Sequence, residues 1–253
     1  MTPLDHAHAD MDKSDEARLR FYERLADAEL FLLLETEPAD AQISPKLFPL
    51  EDGTLVLAFD REERLAEFAG GAPYAALSGR ALAQMLSDEG LGLGLNLEVA
   101  PSSIILPGSA ITWLNNTLGH GPKDVEAKPE ELFSPTDIPE PLLTALDTKL
   151  ALATGLARSA YLCAVRYEGG AQSHMLAFIN PLPGAEPALA RAVNEALVFS
   201  GVEAGALDVA FFAASNPMAA KLAKAGLRFD LPEPEKPNAP SAPGMDPEKP
   251  PRL

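Results

Sequence analysis

Asp52-Gly53-Thr54-Leu55-Val56-Leu57-Ala58-Phe59-Asp60-Arg61-Glu62-Glu63-Arg64-Leu65 is the stretch on which the fold turns. An Asp-Gly pair supplies the left-handed backbone of a tight hairpin, so residues 46–50 before it and 54–59 after it are expected to pair as antiparallel strands. Asp60 then stands where a helix N-cap belongs, and residues 61–68 read as a short helix that Gly70-Gly71 ends. Working upstream, Ser14 followed by Asp15 and Glu16 places a cap and two acids at a helix start, and Leu19, Tyr22 and Leu25 recur at helical spacing. The apolar run 30–35 fits a buried strand. Downstream, residues 78–87 form a helix with Leu82, Met85 and Leu86 inward, and 91–97 and 102–106 are strands. Pro107 opens a helix that carries Trp113 and Leu114.

A second unit follows a break in composition. Gly119, Gly121, Pro122, Pro129, Pro135 and Pro139 gather with several acids, the make-up of a connecting segment, and residues 119–138 are read as a linker. Beyond it come a helix over 142–153, a hairpin of 160–167 and 174–179 about Gly169-Gly170, a helix over 186–199, a strand over 208–213 and a helix over 218–224. The fold class is therefore α+β, as two small mixed α/β domains at 14–118 and 139–231. Residues 1–13 read as a disordered acidic leader. Eight of the twenty residues from 232 to 251 are proline, so 232–253 reads as a disordered Pro-rich tail.

Composition narrows the function classes. Of 253 residues 47% are hydrophobic and 23% charged, which is ordinary for a folded globular protein. The formal charge of −17 argues against a nucleic-acid partner, because neutralising phosphates needs clustered Lys and Arg. Charge is also uneven: residues 17–120 hold fifteen acidic and seven basic side chains, whereas residues 158–229 hold five and six. No window approaches the ~20 apolar residues of a membrane span. The single cysteine, Cys163, excludes an internal disulfide, and no Cys/His cluster offers zinc its ligands, so neither metal nor cofactor is expected. A cytoplasmic protein is the expectation.

The order of motifs resembles a known family. A helix, Leu30 to Leu34, then Asp52 to Phe59, Glu62-Glu63-Arg64-Leu65, Tyr74, Leu77-Ser78-Gly79-Arg80-Ala81-Leu82, Gly94-Leu95-Asn96-Leu97 and Ile104-Ile105-Leu106-Pro107 resembles the N-terminal domain of the SseB family, the enhanced serine sensitivity proteins. Residues 139–231, with Ala160-Tyr161-Leu162-Cys163-Ala164-Val165, are similar to the C-terminal domain that accompanies it. Where the family often places Pro-Gly after an asparagine, Leu97 and Glu98 follow Asn96 here. The resemblance implies no established set of catalytic residues.

Chemistry-bearing patterns are sparse. The glycines of Gly90-Leu91-Gly92-Leu93-Gly94 follow a helix and enter a strand, the reverse of a dinucleotide-binding fingerprint. Cys163 lies in an apolar strand, where a thiol behaves as a small hydrophobe. His174, Asp208 and Ser215 lack any spacing that would mark a hydrolytic trio. Asp5-His6-Ala7-His8-Ala9-Asp10 could catch a divalent ion, but nothing around it would hold the ligands in place. Trp113 is expected in the core or between the domains, and His120 in a loop. The ligand-binding candidates are Arg80 and Asn96, placed where strands meet helix ends, and Tyr74, which could converge with them on a pocket. Two functions remain open: a non-enzymatic interaction or regulatory module whose acidic first half meets a basic protein partner, and a small-molecule sensor or enzyme with a pocket between the domains.

Overall fold

A computed structural model of the protein describes residues 1–38, 43–51, 53–119, 129–202 and 207–234. The first unit holds α1 (Pro3–Asp10), α2 (Asp15–Asp27), β1 (Glu29–Leu33), β2 (Phe48–Leu50), β3 (Gly53–Phe59), α3 (Glu62–Ala69), β4 (Tyr74–Ser78), α4 (Gly79–Glu89), β5 (Gly92–Leu95), β6 (Ile104–Leu106) and α5 (Gly108–Gly119). Its sheet runs β4-β1-β3-β5-β6, with β2 antiparallel to the start of β3. The one parallel pair is β3 with β5, and the chain between them passes through α3, β4 and α4. Alternation sorts the side chains of this sheet into two layers. Leu30, Leu32, Val56 and Ala58 face a deep core with Phe21, Leu25, Leu82, Leu86, Ile111 and Leu114, supplied by α2, α4 and α5. Leu33, Leu55, Leu57 and Phe59 face the other way, where Leu65 and Phe68 of α3 pack against them.

Local chemistry accounts for most boundaries. Ser14 and Ser78 accept hydrogen bonds from the backbone of Ala17 and Ala81 and so cap α2 and α4. Gly90 closes α4 in the left-handed region at φ 66°, and a Cβ on Gly92 would lie 2.9 Å from the Leu106 carbonyl. The 90–94 glycines therefore serve a helix stop and close strand packing. Asp52 of the Asp-Gly turn lies outside the described residues, although β2 and β3 pair as expected.

The second unit holds β7 (Pro129–Phe133), α6 (Glu140–Ala151), β8 (Ser159–Tyr167), β9 (Gln172–Ile179), α7 (Glu186–Phe199), β10 (Leu207–Phe212), α8 (Pro217–Ala225) and β11 (Leu227–Asp230). Its sheet runs β10-β9-β8-β11, with β7 beside the far end of β8. β8 and β9 form the expected hairpin about Gly169 and Gly170, both at positive φ. α7 carries the chain across so that β10 joins β9 in parallel. One sheet face packs under α6 and α7 through Leu146, Leu162, Phe178 and Leu189, and the other under α8 through Cys163, Met175 and Leu222. With two mixed sheets and helices on both, the chain is α+β.

Several expectations change. Residues 1–13 are not a disordered leader: Thr2 and Asp5 form a reciprocal capping box, Pro3 occupies the first turn of α1, and Leu4 and Asp5 are buried. The expected linker 119–138 contains β7, whose Pro129 is tolerated because the strand lies at a sheet edge. β11 joins the second sheet although no strand was expected after α8. Asp60 does not cap α3: the cap position is Arg61, and the Asp60 carboxylate turns to Thr2 and Arg64 instead. His120, Gly121 and Pro122, and the tail beyond residue 234, lie outside the described residues.

Candidate functional site

Arg80 is the first candidate whose surroundings the sequence could not supply. It sits in the first turn of α4, and its guanidinium reaches into the second unit. There Nη1 and Nη2 donate to the two carboxylate oxygens of Glu195 on α7, at 2.9 and 3.1 Å, while Nη2 also meets Asp27 of α2 at 2.8 Å. Bidentate pairing of this kind is the strongest geometry a guanidinium offers. Lys149 of α6 enters the same cluster, with Nζ 2.6 Å from Asp27, 3.1 Å from Glu195 and 3.3 Å from Glu23. Three acids and two bases from four helices thus tie the units together.

Burial sets the protonation tendencies in this joint. Glu23 is almost fully buried and its Oε1 makes no hydrogen bond, despite the nearby ammonium. Desolvation pushes its carboxyl above the ordinary value, and the Lys149 charge offsets only part of that. Desolvation also opposes the charge of Glu195, but hydrogen bonds from Arg80 and the charge of Lys149 outweigh it and hold that carboxyl low. Burial disfavours the Lys149 ammonium, yet Glu23, Asp27 and Glu195 together raise its affinity for the proton. Aromatic packing borders the joint: Trp113 of α5, itself 40% exposed, stands edge-on to Tyr22 of α2 at 5.1 Å and to Phe199 of α7 at 6.5 Å. Trp113 is thus an interface residue, as expected.

Asn96 belongs to a second buried network. It has φ 49°, a left-handed conformation that asparagine tolerates, and is fully buried. Its Oδ1 accepts from the Asp60 backbone N–H at 3.0 Å, and its Nδ2 donates to Ser102 Oγ at 2.8 Å. Ser102 in turn donates to Asp5 at 2.6 Å, and Arg64 bridges Asp5 and Asp60. Burial works to raise the Asp5 carboxyl, but bonds from Arg64, Ser102 and the Thr2 N–H prevail and hold it well below the usual carboxylate range. Asn96 is accordingly turned into the structure rather than toward a crevice, and it pins α1 to the 96–102 loop.

Tyr74 lies on the opposite layer. It packs with Leu33 and Phe59 on the α3 side of the first sheet, edge-on to Phe31 at 5.6 Å. A hydrogen bond with the Glu62 carboxylate raises its hydroxyl above the ordinary value. Tyr74, Arg80 and Asn96 have no neighbour in common among these contacts, so the three candidates occupy three places. The α3 face is also the less covered one. Phe31, Phe48, Phe68, Tyr74, Leu97 and Val99 are only half-buried there, while Glu35, Glu62, Glu63, Glu67 and Glu98 are exposed. Lys46, set over the Phe48 ring at 5.7 Å, and Arg61 are the exposed basic side chains on these segments, Arg64 of α3 being turned to Asp5 and Asp60.

The remaining candidates are accounted for by their neighbours. Cys163 is buried, and desolvation pushes its thiol up to about 11. His174 Nε2 lies against the Thr136 carbonyl, Asp208 accepts from the Tyr167 hydroxyl, and Ser215 is exposed. In the leader, Asp5 is spent on Arg64, His6 Nδ1 on the Thr2 carbonyl and Asp10 on Lys13. Among the described residues no group of three potential metal ligands assembles, and no helix is long and apolar enough to cross a membrane.

This arrangement defines a two-unit α+β protein whose halves are joined by buried ion pairs. Residues 4–113 match the family model of the SseB protein N-terminal domain, so the first unit is an SseB N-terminal domain. The match begins inside α1, in keeping with its burial, and ends within α5. No curated protein and no solved structure matches the chain.

Proposed function

We propose that the chain is a non-enzymatic interaction module of the cytoplasm, whose first unit offers the α3 face of its sheet to a basic protein segment bearing apolar side chains. In the same reading, residues 139–231 are the C-terminal domain that accompanies SseB N-terminal domains. The observation that carries the proposal is the unequal cover of the first sheet. One layer is closed by α2, α4 and α5, and the second unit approaches from that side through α2 and α7. Among the described residues, the helical cover of the other layer is the eight residues of α3, over a row of half-buried aromatic and aliphatic side chains. An apolar segment laid on that row removes further area from water, worth about 25 cal/mol for each Å². Tyrosine is enriched among the residues that dominate binding energy, which gives Tyr74 the central role. The surrounding carboxylates select a basic partner and speed its encounter. Arg80 and Asn96 serve by holding the units and the 96–102 loop in place.

The test is affinity capture at low and high salt with three forms of the full chain: the parent, Tyr74→Ser with Glu62→Lys, and Asp88→Lys as a charge control on the exposed end of α4. Support is a basic protein captured by the parent and by the control, lost from the double variant, and weakened in high salt. Equal capture by the double variant contradicts the face. A small molecule that copurifies near Arg80 without a protein partner would return the inter-unit pocket.

A further inference from the structure

We infer that the second unit carries a binding site for the phosphoryl group of a small molecule, in the cavity of about 220 Å³ lined by Arg158, Ser159, Tyr161, Ile179, Ala219 and Arg228. The cavity lies on the α8 side of the second sheet. Tyr161 and Arg228 are directly paired across β8 and β11, so their side chains leave the same face, and Ser159 follows two residues before Tyr161 on that face. Ala219 of α8 and Ile179 at the end of β9 complete the wall.

The chemistry of the lining points one way. Arg158 and Arg228 bring guanidinium groups and Ser159 and Tyr161 hydroxyl groups to the lining, and the carboxylate beside it is that of Asp230, opposite Ser159 in register and bound to Arg228. Arg158 is exposed and has no ion-pair partner among the described residues. Ser159 is only 4% exposed, and its hydroxyl has no hydrogen-bond partner among the described residues. Glu23 Oε1 is the fully buried side-chain oxygen left unpartnered among the described residues, so the Ser159 hydroxyl is open to the cavity it lines and free to donate to an occupant. Arg228 donates from Nε and Nη2 to Asp230 at the rim, at 2.8 and 2.5 Å, which leaves Nη1 free for an oxyanion. Donors in excess of acceptors suit a tetrahedral oxyanion, which accepts several charge-assisted bonds at once, and planar guanidinium forks match its geometry. The volume is below the roughly 300 Å³ at which drug-sized ligand pockets begin, so the occupant is a phosphoryl group with a short organic body or free phosphate.

The experiment is a titration of the full chain with inorganic phosphate, and separately with phenyl phosphate, at constant ionic strength held with sodium chloride, followed by backbone amide shifts. Saturable shifts centred on residues 158–161 and 228 are expected, with Arg158→Gln weakening the affinity by about tenfold and Ser159→Ala weakening it less. Tighter binding of phenyl phosphate assigns the site to an organic phosphate, and equal binding assigns it to free phosphate. Arg191→Gln, on α7, serves as a charge control. Absence of saturation up to about 10 mM phosphate, an affinity too weak for a built site, overturns the proposal. So does a response that Arg158→Gln leaves unchanged or that Arg191→Gln reduces equally.

Discussion

Replacing Lys149 with methionine is the sharpest perturbation of the joint between the units. The side chain keeps its unbranched shape one atom shorter, but Glu23 and Glu195, 4% and 3% exposed, lose the ammonium that lies 3.3 and 3.1 Å away. Removing one partner of a buried ion pair typically costs 3–5 kcal/mol. Burial already raises the Glu23 carboxyl above its ordinary value and Glu195 retains Arg80, so the lower end applies, about 3 kcal/mol. For a chain of this size that corresponds to a fall in Tm of about 6 to 12 °C. Urea unfolding followed by Trp113 fluorescence measures it, because that ring stands at the joint. The decisive comparison is the same substitution in a Glu23→Gln background. With no carboxylate left to strand at position 23, its cost should fall by about 1 kcal/mol or more, the coupling expected of contacting charges. A cost below about 0.5 kcal/mol, the level of an ordinary surface change, or equal costs in both backgrounds, would refute the reasoning.

Asp5 makes stability depend on acidity: its folded value is depressed, so its contribution is complete above the unfolded value near 3.8 and is lost as pH falls toward the folded one. Asp5→Asn should therefore be less stable than the parent at pH 6, and the gap should close on acidification below pH 4, as read by urea midpoints. Gly79→Ala sets a Cβ 1.7 Å from the Leu25 carbonyl oxygen, which forces α2 and α4 apart and should cost about 3 kcal/mol or prevent folding, measured by circular dichroism. Cys163 should react with a thiol reagent at the rate of global unfolding, because burial and a raised thiol value suppress the native-state reaction. Asn96→Ala should cost about 2 kcal/mol, since the Asp60 N–H loses its acceptor and alanine resists φ 49°; Asn96→Gly should recover the backbone part.

What was legible in the sequence was local. Ser14, Ser78 and Gly90 mark helix ends by side-chain caps and backbone sign alone, and Gly169-Gly170 mark a turn, so those elements stand where periodicity put them. α1 carries its own signal, a Thr2-Pro3-Leu4-Asp5 capping box, but its acids and histidines look like a solvated leader until Arg64, 59 residues on, is seen to neutralise Asp5. β7 and β11 are short edge strands whose pairing depends on β8, and a proline at the start of one disguises it as linker. Arg80 is recognisable by its position at a helix start, yet its partner Glu195 is 115 residues away and no spacing announces it. Tyr74 stands apart from both other candidates, on the less covered face of the first sheet, because the pairing of β4 with β1 sets its side chain beside Leu33.

The docking face is tested most directly by placing a photo-crosslinking phenylalanine analogue at Phe48, on that face, and in a separate chain at Leu152, an exposed site at the end of α6. A docking face predicts a crosslink from position 48 to a basic protein, absent from position 152 and abolished by Glu62→Lys. Equal crosslinks from both positions, or a crosslink at 48 that survives the charge reversal, would contradict it.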